Sequence, residues 1–231
     1  MTSPQVGDRE KGILHGLAIK CIDVDVPDIA KSISEINKKY GVSNWTQTFA
    51  KLSMFDLVEY DKLVFLDSDM MIMKNIDHLF QLDAFSAVVA GQAYPGHETW
   101  RHLNSGLLVV EPEPGLKERL VATIPSEVSK PLGDQDIIQA YLSNWPNENR
   151  LHLKESYNLF IDCIDYYIRH GILQESDIYV IHFEGGQKPW KWFPGEYVLR
   201  VIRMALKRHF YEFKYLSLYR KYIAQARQIC E

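Results

Sequence analysis

The chain lacks the features that would set it apart from ordinary globular proteins. Its 231 residues hold only three cysteines, Cys21, Cys163 and Cys230. They are odd in number, widely spaced and unpaired in any metal-like motif. That excludes a disulfide framework, and we expect reduced thiols in a cytosolic protein. No apolar run approaches the length of a membrane span, and Met1 is not followed by a signal-peptide pattern. Internal repeats and low-complexity tracts are absent, which argues against a solenoid or a disordered tail. Neither sign of charge dominates, with 26 Lys and Arg against 30 Asp and Glu. What is present, 46% hydrophobic and 24% charged residues, suits one soluble domain with a substantial core.

The charge is unevenly spread. Val198 to Glu231 holds eight Lys/Arg and two Glu, a balance of +6, while the preceding residues balance at −10, giving the net −4. In this tail basic residues interleave with Phe210, Tyr211, Phe213, Tyr215, Leu216 and Tyr219. Two readings stand: an interfacial helix lying on an anionic membrane, or a solvated helix packed on the rest of the chain. No RNA-binding motif accompanies the charge, so no nucleic-acid partner is expected.

The most informative stretch is Lys62 to Leu79. Leu63 to Leu66 is a short unbroken apolar run, which predicts a strand buried on both faces of a mostly parallel sheet. It ends in Asp67-Ser68-Asp69. Two carboxylates at i and i+2, at the C-terminal end of such a strand, stand where open α/β sheets bind ligands. Oxygen ligands of this kind suit Mg²⁺ or Mn²⁺ bridging protein carboxylates and substrate phosphates. The plain alternative is an acidic turn, since Asp and Ser are common there.

Periodicity predicts helices over residues 5–15, 29–39, 45–55, 75–82, 115–124 and 135–142, and one or two over 197–229. Strands are predicted over 17–26, 63–66, 85–90, 107–110 and 179–183. Asp134 is an apt N-cap for the helix that follows it. Gly106, after Asn104-Ser105, permits close backbone approach to a ligand.

Motifs elsewhere fall in a recognisable order: Lys51-Leu52, Asp67-Ser68-Asp69, Asn75-Ile76-Asp77-His78, Asn104-Ser105-Gly106, Gly133-Asp134-Gln135-Asp136, Tyr157-Asn158-Leu159, and His182-Phe183 with Gly185, Gly186, Lys188, Pro189 and Trp190. Between Lys51 and Trp192 this set resembles the retaining glycosyltransferases of family 8. The resemblance implies a GT-A type α/β fold, a mostly parallel central sheet flanked by helices, with residues 1–197 as catalytic domain and 198–231 as a basic helical tail. It implies an Mn²⁺- or Mg²⁺-dependent hexosyltransferase. Its donor would be a UDP-sugar, UDP-glucose or UDP-galactose, and its acceptor a carbohydrate or glycolipid.

By the same resemblance Asp67, Asp69 and His182 hold the metal. Lys51, Ser68, Gly185 and Lys188 bind the nucleotide-sugar, and Asn104, Asp134 and Gln135 orient the hexose. Two departures stand out. The strand carrying a Thr-Asn pair for the base, with its helix and second strand, is not found, so the fold is expected to be N-terminally shortened. Gly91-Gln92 occupies the place of an acidic residue that contacts the donor sugar. Three alternatives remain open: a sugar-nucleotide-binding scaffold without turnover, a phosphatase of the haloacid dehalogenase type, and self-glycosylation at Tyr166 or Tyr167.

Overall fold

A computed structural model describes residues 1–25, 31–185, 188–191 and 194–230. The helices are α1 (Asp8–Gly16), α2 (Lys31–Lys39), α3 (Trp45–Thr48), α4 (Leu116–Val121), α5 (Asp134–Tyr141), α6 (Ile164–Arg169), α7 (Pro194–Lys207) and α8 (Phe210–Cys230). The strands are β1 (Leu63–Leu66), β2 (Met70–Ile72), β3 (Ala87–Val88), β4 (Asn104–Val110), β5 (His152–Leu153), β6 (Leu159–Phe160) and β7 (Val180–His182). They form two sheets, of order β1-β4-β3-β5 and β2-β7-β6. The first contains the parallel pair β3/β5; in the second, β7 runs antiparallel to β2 and parallel to β6.

Two compact units divide the chain: residues 1–65, 82–86 and 108–151, and residues 66–81, 87–107 and 152–231. In the first, Phe49, Leu52 and Phe55 are fully buried, as the 45–55 periodicity predicts. Only Trp45–Thr48 is α-helical, and the turn tightens to 3₁₀ over Phe49–Asp56. Asn37, also fully buried, makes two bonds to the backbone of Leu132: its Nδ2 donates to the carbonyl and its Oδ1 accepts the amide. That clamp fixes the entry to α5. The capping role falls to Asp136, whose carboxylate accepts the Gly133 amide at 2.7 Å, and Asp134 is instead the first residue inside the helix.

The second unit is built on β7. Val180, Ile181 and His182 are all buried because both neighbours of the strand are paired and helices pack against the sheet. Met71, Ile164, Tyr167, Ile178, Phe183, Met204, Tyr215 and Leu216 share its core. A fully buried side chain of this size contributes about 1.5–3 kcal/mol. The basic tail is thus integral to this unit: α8 supplies Tyr215 and Leu216, α7 supplies Met204, and Arg208 turns the chain between them at φ +57°.

Three expectations are corrected. Residues 17–25 form no strand; Thr2 and Asp23 make an isolated bridge, so no ladder develops. Val26 and the start of the predicted 29–39 helix lie outside the described residues. β1 is half-buried throughout because it is the edge of its sheet, and the strand covered on both faces is β4, buried from Ser105 to Val110. Strands β2, β5 and β6 were not anticipated, because two or three residues carry no readable period.

Candidate functional site

Asp67, Asp69 and His182 converge as the motif order implies. Their ligand atoms all lie within 4.8 Å of one another. The convergence is a consequence of backbone pairing. The Asp67 amide donates to Gly106 O at 2.8 Å, Met70 N bonds back to Asp67 O to close the tight turn, and the Phe183 amide donates to Asp69 O at 2.9 Å. Met70 stands opposite His182 in the β2/β7 register. Ser68 is exposed at the apex of that turn.

The orientation of His182 is set from behind. Asn158, fully buried, donates from Nδ2 to Asn104 Oδ1 at 2.7 Å, and Asn104 Oδ1 also accepts the Gly106 amide at 3.0 Å. The Asn158 amide therefore presents Oδ1 to His182 Nδ1, 2.9 Å away, so Nδ1 carries the proton. His182 Nε2 is left facing Asp69 Oδ1 at 3.3 Å. A neutral ring would place two lone pairs head to head there, and a cation between them, proton or metal, resolves the conflict.

Gly106 is required for this packing. A Cβ at that position would fall 2.9 Å from His182 Cε1, 2.8 Å from Asn104 Oδ1 and 2.7 Å from Met70 Cε. The close approach expected there is thus to the imidazole and its supports. Asn104, which the resemblance places toward the donor sugar or the acceptor, is the end of the chain of amides that steers His182.

Lys188 pairs with Asp69 Oδ2 and donates to Phe183 O at 2.9 Å. Burial opposes the charge on Asp69, but His182 and Lys188 together outweigh it and hold the carboxyl well below its usual range. Gly185 precedes Lys188 at φ +88°, where glycine is favoured. Gly186 and Trp192 lie outside the described residues. Trp190 packs on Tyr219 of α8, whose ring also meets Phe183 at 4.4 Å. Burial pushes the neighbouring Glu184 carboxyl up to about 7, with the charge of Asp162 adding to it, and among the described residues Glu184 Oε2 has no hydrogen-bond partner.

In the other unit Lys51 and Asp134 meet each other. Their charged groups are 2.9 Å apart, each side chain 9% exposed, with the ammonium 5.1 Å from the centre of the Phe65 ring. Gln135 follows in the first turn of α5. Tyr167 is fully buried and donates to Glu155, while Tyr166 stacks on His170.

Sequence reasoning missed two features. Asn158 was visible only as part of a motif, without a role. A second cluster, Asp165, His209 and Glu212, also brings its ligand atoms within 4.8 Å of one another. There the Asp165 oxygens accept the Tyr211 and Glu212 amides at the start of α8. Arg169 pairs with Asp165 and Arg200 with Glu212.

The likeness to solved glycosyltransferases shows that the α/β fold is of the GT-A type. The apo-form glycosyltransferase GlyE of Streptococcus pneumoniae TIGR4 shares it, at a TM-score of 0.51 and 18% identity over 83% of this chain and 55% of that one. The profile of glycosyl transferase family 8 matches residues 10–192, beginning well before Lys51. Glycogenin-1 of Mus musculus is 32% identical over 83% of this chain and 56% of its own length. Galactinol synthase 1 of Solanum lycopersicum is 27% identical over 82% and 62%. The chain belongs to glycosyltransferase family 8. It spans just over half the length of these relatives.

Proposed function

We propose that the protein transfers a hexose from UDP-glucose or UDP-galactose to a hydroxyl of a carbohydrate or glycolipid acceptor, with retention at the anomeric carbon. The observation that carries this reading is the meeting of Asp67, Asp69 and His182 within 4.8 Å. The donor set fits Mn²⁺ or Mg²⁺, since two carboxylates and an imidazole with its Nδ1 already engaged leave hard oxygens and one nitrogen for the ion. Bound there, the ion would neutralise charge developing on the leaving diphosphate.

The chain's own residues supply the rest. Lys188, seated on Asp69, is the point charge that turns to a phosphate oxygen when the donor arrives. Ser68, exposed at the turn between the two aspartates, is assigned to the phosphates, as is Gly185. Asn104 orients the hexose while holding Asn158. Asp134 and Gln135 are assigned to orienting the hexose, and Lys51 pairs with the Asp134 carboxylate. The acceptor hydroxyl attacks on the face from which UDP departs, and its proton passes to the leaving phosphate oxygen.

The test is hydrolysis of UDP-glucose and UDP-galactose by wild type and Asp69→Ala, with and without Mn²⁺. We expect turnover that needs both the ion and Asp69. Equal, metal-independent rates in both proteins defeat the reading, and UDP binding without turnover would support a scaffold instead.

Peripheral membrane contact through α7 is supported by a separate observation. Val198, Leu199, Ile202 and Leu206 are 54%, 69%, 50% and 81% exposed along one side of the helix, beside exposed Arg203, Lys207 and Arg208. Among the described residues no helix is long and apolar enough to cross a membrane. Flotation with phosphatidylserine vesicles but not phosphatidylcholine vesicles is the expected result, and loss of it in Leu199→Glu/Leu206→Glu checks the face.

A further inference from the structure

Between β3 and β4 the chain makes an excursion, residues 91–103, that contains no helix or strand yet is tightly braced. Tyr94, His97 and Trp100 amides donate in succession to the carbonyls of Gly91, Tyr94 and His97 at 3.0, 3.0 and 2.8 Å. Gln92 Nε2 donates to Trp100 O at 2.9 Å, and His97 Nδ1 donates to Gly91 O at 3.0 Å. The Ala93 amide donates to Glu155 Oε1, and the Tyr94 ring meets Tyr166 edge-on at 5.3 Å. Such a loop, closed on itself and packed by its own side chains, is a common carrier of function.

At its outer end the His97 and Trp100 rings lie parallel, 3.7 Å apart and inclined by 8°. Trp100 is 41% exposed while one face of its ring lies on the imidazole. A single exposed aromatic residue is unremarkable in itself. This one is held in one orientation before any ligand arrives, so little freedom is lost on binding. Arg101 and His102 are exposed beside it, with Arg101 NH1 tied to the Glu98 and Trp100 carbonyls. The loop then passes through buried Leu103 into Asn104, which bonds Asn158 and through it His182. A flat π surface with a negative face, fixed on the segment that enters the metal-ligand network, matches the C–H face of a pyranose ring.

We propose that Trp100, backed by His97, is the platform on which a sugar ring of the acceptor saccharide lies, with Arg101 and His102 bonding its hydroxyls. The assignment rests on the transferase reading and names its acceptor side. The ligand class is a neutral oligosaccharide, free or as the glycan of a lipid.

Saturation-transfer NMR with lactose and with maltoheptaose tests it without any donor turnover. Signal on the ring C–H protons of at least one probe is expected with wild type, lost in Trp100→Ala and largely restored in Trp100→Phe. No signal with either probe, or equal signal in Trp100→Ala, overturns it. With UDP-glucose or UDP-galactose added, the share of consumed donor that reaches the saccharide should fall about tenfold in Trp100→Ala, and an unchanged share also overturns it. A wild type that consumes no donor defeats the transferase reading alone, leaving the NMR result to judge the platform.

Discussion

Two clusters in the same unit have the same composition and the same spread, two acids and a histidine within 4.8 Å, yet their surroundings suit them to different ends. Around Asp165, His209 and Glu212 every charge is answered from within the protein. Two backbone amides and Arg169 bond Asp165, while Arg200 and the His209 ring bond Glu212. Such a network ties the start of α8 to α6 and has no need of an ion. Around Asp67, Asp69 and His182 the balance differs. The bond that fixes the His182 ring goes outward to Asn158, which leaves Nε2 facing Asp69, and Lys188 is the cation that meets the other Asp69 oxygen. On the proposed reading, what would distinguish a metal-binding cluster from a structural one is the shell behind it.

The largest expected effect breaks the first cluster. Asp69→Ala should lower donor turnover on the order of 10³-fold, since the ion's charge stabilisation is worth several kcal/mol. Mn²⁺ should raise the melting temperature of wild type and leave that of the variant unchanged. A variant that Mn²⁺ still stabilises would mean that ions bind elsewhere, and the second cluster would be the place to look.

Next comes Asp165→Ala, which leaves two helix-start amides and Arg169 without their buried acceptor. A loss of about 3 kcal/mol in unfolding free energy is expected, read by urea denaturation. Mn²⁺ affinity should stay within twofold of wild type. A fall in Mn²⁺ affinity comparable to that from Asp69→Ala would erase the distinction between the clusters.

Glu184 sharpens the comparison, because it stands two residues after His182 of the first cluster and belongs to neither. Burial, with Asp162 adding to it, pushes its carboxyl from the ordinary 4.5 up to about 7. The folded protein then holds this proton where the unfolded chain has released it, so this group's contribution to stability falls as pH rises through that window. In metal-free protein Glu184→Gln should match wild type at pH 5 and exceed it by about 2 kcal/mol at pH 8. An equal difference at both pH values would show that the charge is not the cause.

Much of the first cluster was legible in the sequence because its members announce themselves. Asp67 and Asp69 end an apolar run, and His182 ends another. The helices with a long apolar period, 135–142 and the one or two over 197–229, lie within three residues of the observed bounds, the latter as two helices that break at Arg208. What could not be read depends on partners distant in the chain. Asp134 looked like a cap until Asn37 fixed Leu132 and Asp136 took the Gly133 amide. β1 looked fully buried because its four residues are apolar, but burial follows position in the sheet order, and β1 lies at an edge. The second cluster was invisible because Asp165 and Glu212 are joined through backbone amides, which carry no sequence signature.

The smallest effect expected probes the difference at its root. If the shell decides the fate of a cluster, then loosening the shell while keeping every ligand should weaken ion binding. Asn158→Ala removes the acceptor for His182 Nδ1 and takes one donor from Asn104 Oδ1. The imidazole is then free to rotate or to move its proton to Nε2, where it blocks the ion. Outer-shell changes of this kind cost 10- to 100-fold in affinity, and about tenfold is expected here because Gly106 still confines the ring. Isothermal titration with Mn²⁺ reads the change, and Asn158→Asp should recover part of it by again accepting from Nδ1. Unchanged Mn²⁺ affinity in Asn158→Ala would show that the two aspartates alone select the ion, and that the outward bond of His182 serves packing.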